Sequence, residues 1–210
     1  LARLATPAEA APAIAEGFAQ SCALQLLQGK LAQQCAQWKA QEISNGMWAC
    51  AKLGVLSGFV DRAAETAHKW VPGSPAANLK QVAYACRVMQ YADLQLMTAV
   101  VERSKLLLQQ SARTTETHRD IGLVAVVADA VAALDLQQLA AGAKDLVASS
   151  GVTHDSRLVA ADAGMLWDAH AWLVQHQLLD GKGLAGLLSQ QQLEQGEAAS
   201  AAYHAQQQSA

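Results

Sequence analysis

The amino-acid sequence predicts an all-α protein: a right-handed α-solenoid of stacked antiparallel helix pairs, in degenerate repeats of roughly 36–45 residues. Three observations carry that expectation. Alanine, leucine and glutamine, all good helix formers, dominate the 210 residues. Few stretches alternate apolar and polar residues or run in β-branched side chains, so strands have no footing. And one segment recurs along the chain, as repeat architectures require.

Taken in order, Pro7 and Pro12 sit among alanines in a lead-in. Ile14 to Gln28 reads as a first helix stopped by Gly29, and Lys30 to Lys39 as a second. Glu42 to Leu53 follows, closed by Gly54. Ser57 to Lys69 comes next and ends around Pro72, Gly73 and Pro75, because proline cannot continue a helix. Asn78 to Tyr91 and Leu94 to Gln109 form a pair, and the polar run Ser111 to Thr117 reads as a loop. Arg119 to Leu134 and Leu136 to Ala148 form another pair, broken off by Ser149, Ser150 and Gly151. Asp155 to His176 predicts a long helix with a bend at Gly164, and Leu184 to Leu188 a short one. Beyond Ser189 the glutamine- and alanine-rich sequence reads as a final helix or a solvated tail. The expected divisions are 1–29 as lead-in and first helix, 30–188 as repeat domain, and 189–210 as C-terminal helix or tail.

The recurrence is specific at two places. Ile43 to Leu53 aligns with Leu79 to Met89 at an offset of 36, placing Trp48 on Tyr84, Ala49 on Ala85 and Cys50 on Cys86. A third copy at Asp129 to Leu134 matches through Ala130, Ala132 and Leu134, with Asp129 where the aromatic residue stands in the others. Small residues at Ala49, Cys50 and Ala51 allow close helix approach, and Ile43, Met47, Cys50 and Gly54 share one helical stripe.

Composition narrows the function. Hydrophobic residues make up 52% of the chain, enough for a sizeable core, while the net charge is −3. A nucleic-acid binder that searches alone carries a basic excess; any RNA contact here is local or shared with a larger assembly. Cys22, Cys35, Cys50 and Cys86 form no C-x-x-C pair, which favours reduced thiols in a helical core over a disulfide scaffold. Ile121 to Leu136 is too short and carries Asp129 and Asp135, so no span and no membrane partner is expected. Neither a nucleophile elbow nor a phosphate-binding loop occurs: Gly181-Lys182-Gly183 lacks the Ser or Thr that must follow the lysine. His170 and His176 are six apart, wrong for two ligands on one helix face. Asp162 and Asp168 are likewise six apart, without a carboxylate three or four residues away. No enzyme, cofactor, metal or small-molecule substrate is expected.

The run from Gln41 to Gly54, QEISNGMWACAKLG, resembles the octotricopeptide repeat of green algae, whose pattern is roughly Q-x-[IL]-[SA]-N-T-[LM]-W-A-x-A-K-L-G. It departs at Gly46, where the family usually has Thr. Ala83 to Cys86 and Ala133 to Gln138 resemble later, degenerate copies, and Leu166 to Leu173 the helix that closes such arrays. The likeness covers roughly residues 30–195. A Gln-rich stretch like Leu188 to Glu194 precedes a RAP domain in many relatives, and no RAP-like sequence stands among these residues, so the chain looks like the C-terminal part of such an array without that domain. The resemblance implies an α-solenoid acting on mitochondrial or chloroplast RNA. It implies either a structural subunit of a mitochondrial ribosome that stabilises ribosomal RNA, or a factor in RNA maturation or translation. A protein–protein scaffold is the alternative that the low basic content favours.

The expected RNA-contact residues are Ser44 and Asn45, with Lys80 and Gln81 at the equivalent places, together with Lys52, Arg87 and Arg119. Helix capping and ordinary solvated surface are the competing roles for these polar groups. Trp48 and Tyr84 either stack on bases or pack between repeats. Arg103, Lys105 and Arg113 add a locally basic stretch around the predicted loop.

Overall fold

The computed structural model describes residues 29–30, 34, 37–55, 58–111, 120–152 and 158–208. The expected helix Ile14 to Gln28, half of Lys30 to Lys39, and residues 112–119, with Arg113 and Arg119, lie outside them. The described residues are all-helical, without strands: α1 (Ala40–Leu53), α2 (Gly58–Glu65), α3 (Ala67–Trp70), a 3-10 turn Val71–Gly73, α4 (Ala76–Met89), α5 (Leu94–Ser111), α6 (Ile121–Ala133), a 3-10 turn Gln137–Leu139, α7 (Ala140–Ser149), α8 (Ala160–Gln175) and α9 (Gln190–Gln208).

Helix starts follow local chemistry. The Glu42 carboxylate accepts the Lys39 backbone N–H at 2.7 Å, using one of the N–H groups that no helix can satisfy internally. Asp93 accepts from Leu96 N–H at 2.7 Å and Asp120 from Leu123 N–H at 3.0 Å, starting α5 and α6. The ends share one device. Gly54, Gln90, Asp135 and Gln177 adopt left-handed φ of 65°, 52°, 50° and 51°. The next N–H in each case bonds a carbonyl five residues back: Val55 to Cys50, Tyr91 to Cys86, Leu136 to Val131 and Leu178 to Leu173, at 2.8–3.0 Å. Gly54, Gln90 and Asp135 each stand six residues after Trp48, Tyr84 and Asp129, so the aligned copies also end alike.

The helices lie in two rows. In the first, α4 packs between α1 and α6, α6 between α4 and α8, and α9 lies along α8; in the second, α5 packs on α2 and α3 on one side and α7 on the other. Fully buried Ile43, Met47, Phe59, Leu79, Met97, Leu123, Leu146, Leu166 and Leu173 fill the space between the rows. Each contributes about 1.5–3 kcal/mol by leaving water.

Several sequence expectations are corrected. Ser57 to Lys69 is two helices, because Thr66 turns its hydroxyl back onto the Arg62 carbonyl at 2.8 Å; the Trp70 indole N–H then bridges the break to the Ala63 carbonyl at 3.0 Å. The segment Leu136 to Ala148 begins with a 3-10 turn before α7. Leu184 to Leu188 is a succession of turns, although Leu184 and Leu188 are buried. Gly164 does not interrupt α8; it lies where a Cβ would be 3.2 Å from the Ser200 backbone nitrogen of α9. Of the two forms expected beyond Ser189, residues 190–208 take the helix.

Gly46 is confined to glycine by its neighbour. A Cβ there would lie 2.6 and 2.7 Å from the Phe59 ring, which is wholly buried and packs against Trp38 at 5.5 Å between centroids. Gly46→Thr is expected to lower stability by about 1–3 kcal/mol through overpacking. The loss should shrink when combined with Phe59→Leu, as thermal denaturation of the single and double variants would show.

Candidate nucleic-acid interface

Asn45, Trp48 and Lys52 occupy one stripe of α1, at steps of three and four residues. Gln81 and Tyr84 occupy the matching stripe of α4, which packs beside α1. The Lys52 ammonium joins the two helices. It donates to the Tyr84 hydroxyl at 3.1 Å and lies 5.1 Å from the Tyr84 ring centroid and 5.6 Å from that of Trp48. Asn45 and Lys52 are exposed, Gln81 is half-buried, and Trp48 keeps 42% of its surface in water.

The remaining expected contact residues are placed otherwise. Ser44 is completely buried and donates its hydroxyl to the Gln41 carbonyl at 3.1 Å, so it faces the helix stack and leaves the set of RNA contacts. The reason is geometric: Ser44 neighbours the buried stripe of Ile43 and Met47, one step from the exposed stripe of Asn45. Lys80 is bound to Asp120 of α6, 3.1 Å away, with Asp162 of α8 nearby; that carboxyl is raised by burial and by Asp120, and lowered by Lys80. The Arg87 guanidinium, only 20% exposed, contacts Asp129 of α6 at 2.7 Å. Both cations are therefore held by acids of the next helix, which reduces what either offers a phosphate. Arg119 lies outside the described residues.

Some basic residues elsewhere are similarly engaged, whereas Lys69 and Lys182 are exposed without an ion pair among the described residues. Arg62 pairs with Glu65, Lys105 with Glu102 and Asp145, and Lys144 with Asp180, while Arg103 donates to the Ser74 carbonyl at 3.1 Å. They belong to the second row of helices, so the positive charges spread over both rows.

Asp129 is the residue whose importance the sequence understated. It holds the repeat position of Trp48 and Tyr84 but is 2% exposed. Burial pushes its carboxyl up to about 7, with Asp168 adding to the rise and Arg87 opposing it. Asp168 of α8 accepts the Ser200 hydroxyl of α9 at 2.5 Å, and the Tyr203 ring of α9 lies 5.9 Å from the Arg87 guanidinium. The only forewarning was the replacement of an aromatic residue by Asp129 in the third copy.

His170 serves the fold. Its Nδ1 accepts the Leu184 backbone N–H at 2.9 Å, which holds the turns before α9. Burial lowers its pKa, favouring the neutral ring that this bond needs. Cys50 and Cys86 are thiols, and burial pushes Cys86 up to about 12. Among the described residues no group of three or more His, Cys, Asp or Glu side chains converges as a metal site, and no helix is long and apolar enough to cross a membrane.

No family model, no curated protein and no solved structure matches this chain.

Proposed function

We propose that this protein is an α-solenoid of helix pairs, of the octotricopeptide kind, that holds RNA within a larger ribonucleoprotein. The observation that carries this is the Trp48–Lys52–Tyr84 cluster, two aromatic rings at repeat-equivalent places bridged by a cation that the second copy lacks, flanked by the equivalent amide side chains of Asn45 and Gln81. Aromatic rings stack on unpaired bases, and amides reach base edges. The resemblance of Gln41 to Gly54 to the algal repeat supports the same reading, as do the four like-capped helix ends.

The neutralised cations give the proposal its particular form. A chain whose Lys80 and Arg87 are already paired, with a net charge of −3, gains little from phosphate attraction. It suits a fixed place in an assembly better than a search through solution. The specific form proposed is a structural subunit of a mitochondrial ribosome stabilising ribosomal RNA, with a chloroplast particle or a factor for maturation or translation as alternatives. A protein scaffold is the second reading, favoured by the spread of basic residues over both rows.

Crosslinking and sequencing on the native particle tests this. Crosslinks to ribosomal RNA support the subunit, crosslinks to one messenger support a factor, and protein neighbours without RNA support the scaffold. For the purified chain, Trp48→Ala combined with Lys52→Ala is expected to weaken retention of single-stranded RNA by about tenfold or more, the worth of one stacked base. The salt dependence should be shallow, with a log–log slope near about −1, because Lys80 and Arg87 beside this surface are already paired. Unchanged retention in the double variant would remove this surface from the proposal.

A further inference from the structure

A cavity of about 190 Å³ opens between α4, α6, α8 and α9, adjoining the Trp48–Lys52 surface through the shared Tyr84. Tyr84 and Tyr203 line it, with Arg87, Asp129, Asp168 and Ser200 as its polar groups. The rest of its wall is apolar, with Val126 and Met165 the largest such side chains. The space is below the roughly 300–1,000 Å³ of sites that enclose drug-sized ligands, which limits an occupant to one ring system or one side chain.

The charges select further. Asp129 is 98% buried and fixes Arg87 from behind, at 2.7 Å between Oδ2 and Nε. The contact is not directed as a hydrogen bond, and both of those atoms lack a hydrogen-bond partner. Asp168 also lines the cavity, its side chain 26% exposed, with Oδ1 accepting the Ser200 hydroxyl and Oδ2 3.8 Å from His204 Nε2. A bare anion would meet Asp168 and Asp129, and a bare cation would meet Arg87. The ligand that offends neither is neutral and flat, with a donor for the carboxylate beside an acceptor for the guanidinium, and faces that lie on phenol rings.

We propose that this cavity takes one unstacked RNA base, guanine above the others. Guanine presents two adjacent N–H donors for Asp168 next to an O6 acceptor for Arg87, an edge that no other standard base offers. Asp129 is then a positioning residue acting through Arg87. α9 closes one wall, so base capture depends on its docking. The inference rests on the RNA reading and names what a second site would recognise.

The test is equilibrium dialysis of the full chain against 5′-GMP, AMP, CMP and UMP, and against oligouridylate with and without a single guanosine. GMP is expected to be held about tenfold more tightly than the other three, within the range that one base contact gives. Ala161→Trp fills the cavity from an exposed position on α8, away from the ion pair, and should abolish GMP retention while helicity and melting temperature stay unchanged. Asp168→Asn should erase the preference for guanine. Equal retention of all four nucleotides, or GMP binding untouched by Ala161→Trp, overturns the proposal. So does displacement of GMP by N-acetyl-arginine amide at equal concentration, which would assign the cavity to a protein side chain. RNA bound equally by wild type and Ala161→Trp, with no GMP preference, overturns this inference and leaves the RNA reading standing. GMP bound without any oligonucleotide keeps the base pocket and removes the RNA reading.

Discussion

Arg87→Leu is expected to destabilise the protein by about 1–2 kcal/mol at about pH 8, a fall of about 5 °C in melting temperature, since a carboxyl already pushed up to about 7 regains its proton when the cation is lost. The substitution leaves the Asp129 carboxylate 2% exposed with no counter-charge. Asp129→Asn should be nearly neutral by contrast, because burial already pushes that carboxyl up to about 7. The double replacement of Arg87 and Asp129 by leucine should recover most of the loss, since an apolar pair bears no desolvation cost. The pH dependence has a definite sign. Asp129 has a folded pKa of about 7 against an ordinary 3.8. Between those values the folded chain keeps a proton that the unfolded chain has released, so the Asp129 contribution falls as pH rises from about 4 to about 7 and is level above that. In Arg87→Leu the opposing cation is gone, so the decline extends above about 7, and the cost of the substitution grows with pH. Urea unfolding of wild type and the three variants near about pH 5 and near about pH 8 checks this. A cost that does not change with pH, or no recovery in the double variant, would show that the pair is not what holds α4 to α6.

Gly196→Ala is expected to release α9. Alanine is the better helix former by about 1 kcal/mol, so propensity alone predicts a gain. At this position a Cβ would lie 2.6 Å from the Ala163 carbonyl oxygen and 2.9 Å from the Trp167 Cβ, neither of which is the movable end of a side chain. Overpacking of about 1–3 kcal/mol then exceeds the gain. α9 has little to offset it, since Leu193 is its one large buried apolar residue and Gln192, Gly196 and Ser200 make up the rest of its buried face. An isolated 19-residue helix of this polar composition is marginal in water. Hydrogen exchange over residues 190–208 should therefore rise sharply in Gly196→Ala and hardly at all in Gly58→Ala, where a Cβ meets nothing within 4 Å. Slow exchange retained in Gly196→Ala would mean that the two helices separate without losing their dock. Release of α9 also removes Ser200 and Tyr203 from the cavity, so GMP retention should fall with it.

Much of the helical layout was legible because helix punctuation is local. Gly54 stops α1 where a left-handed φ favours a residue without a Cβ, and Asp120 starts α6 through its own side chain. The 36-residue offset between Trp48 and Tyr84 reappears as α1 packed beside α4 with the two stripes aligned. Less legible was everything that depends on which helix faces which. The break at Thr66 rests on a hydroxyl returning to its own helix, a choice that a helix-period pattern does not register. Gly164 read as a bend because glycine usually weakens a helix, whereas here the missing side chain admits another backbone. At the candidate site, Asn45 and Lys52 are where helical spacing put them, and Ser44 is not, because one residue on a helix is a turn of about 100°.

By itself the sequence determined an all-helical chain, the ends of most of its helices, and a repeat that sets small residues beside an aromatic one. Those properties are local, fixed by caps, propensity and spacing within a dozen residues. The tertiary structure alone decided that Lys80 is spent on Asp120 and Arg87 on Asp129, partners 40 and 42 residues away, and that α9 lies close enough along α8 to need Gly164 and Gly196. A cation's availability depends on the field at its tip, and that field is set by neighbours the chain brings together only when the rows assemble.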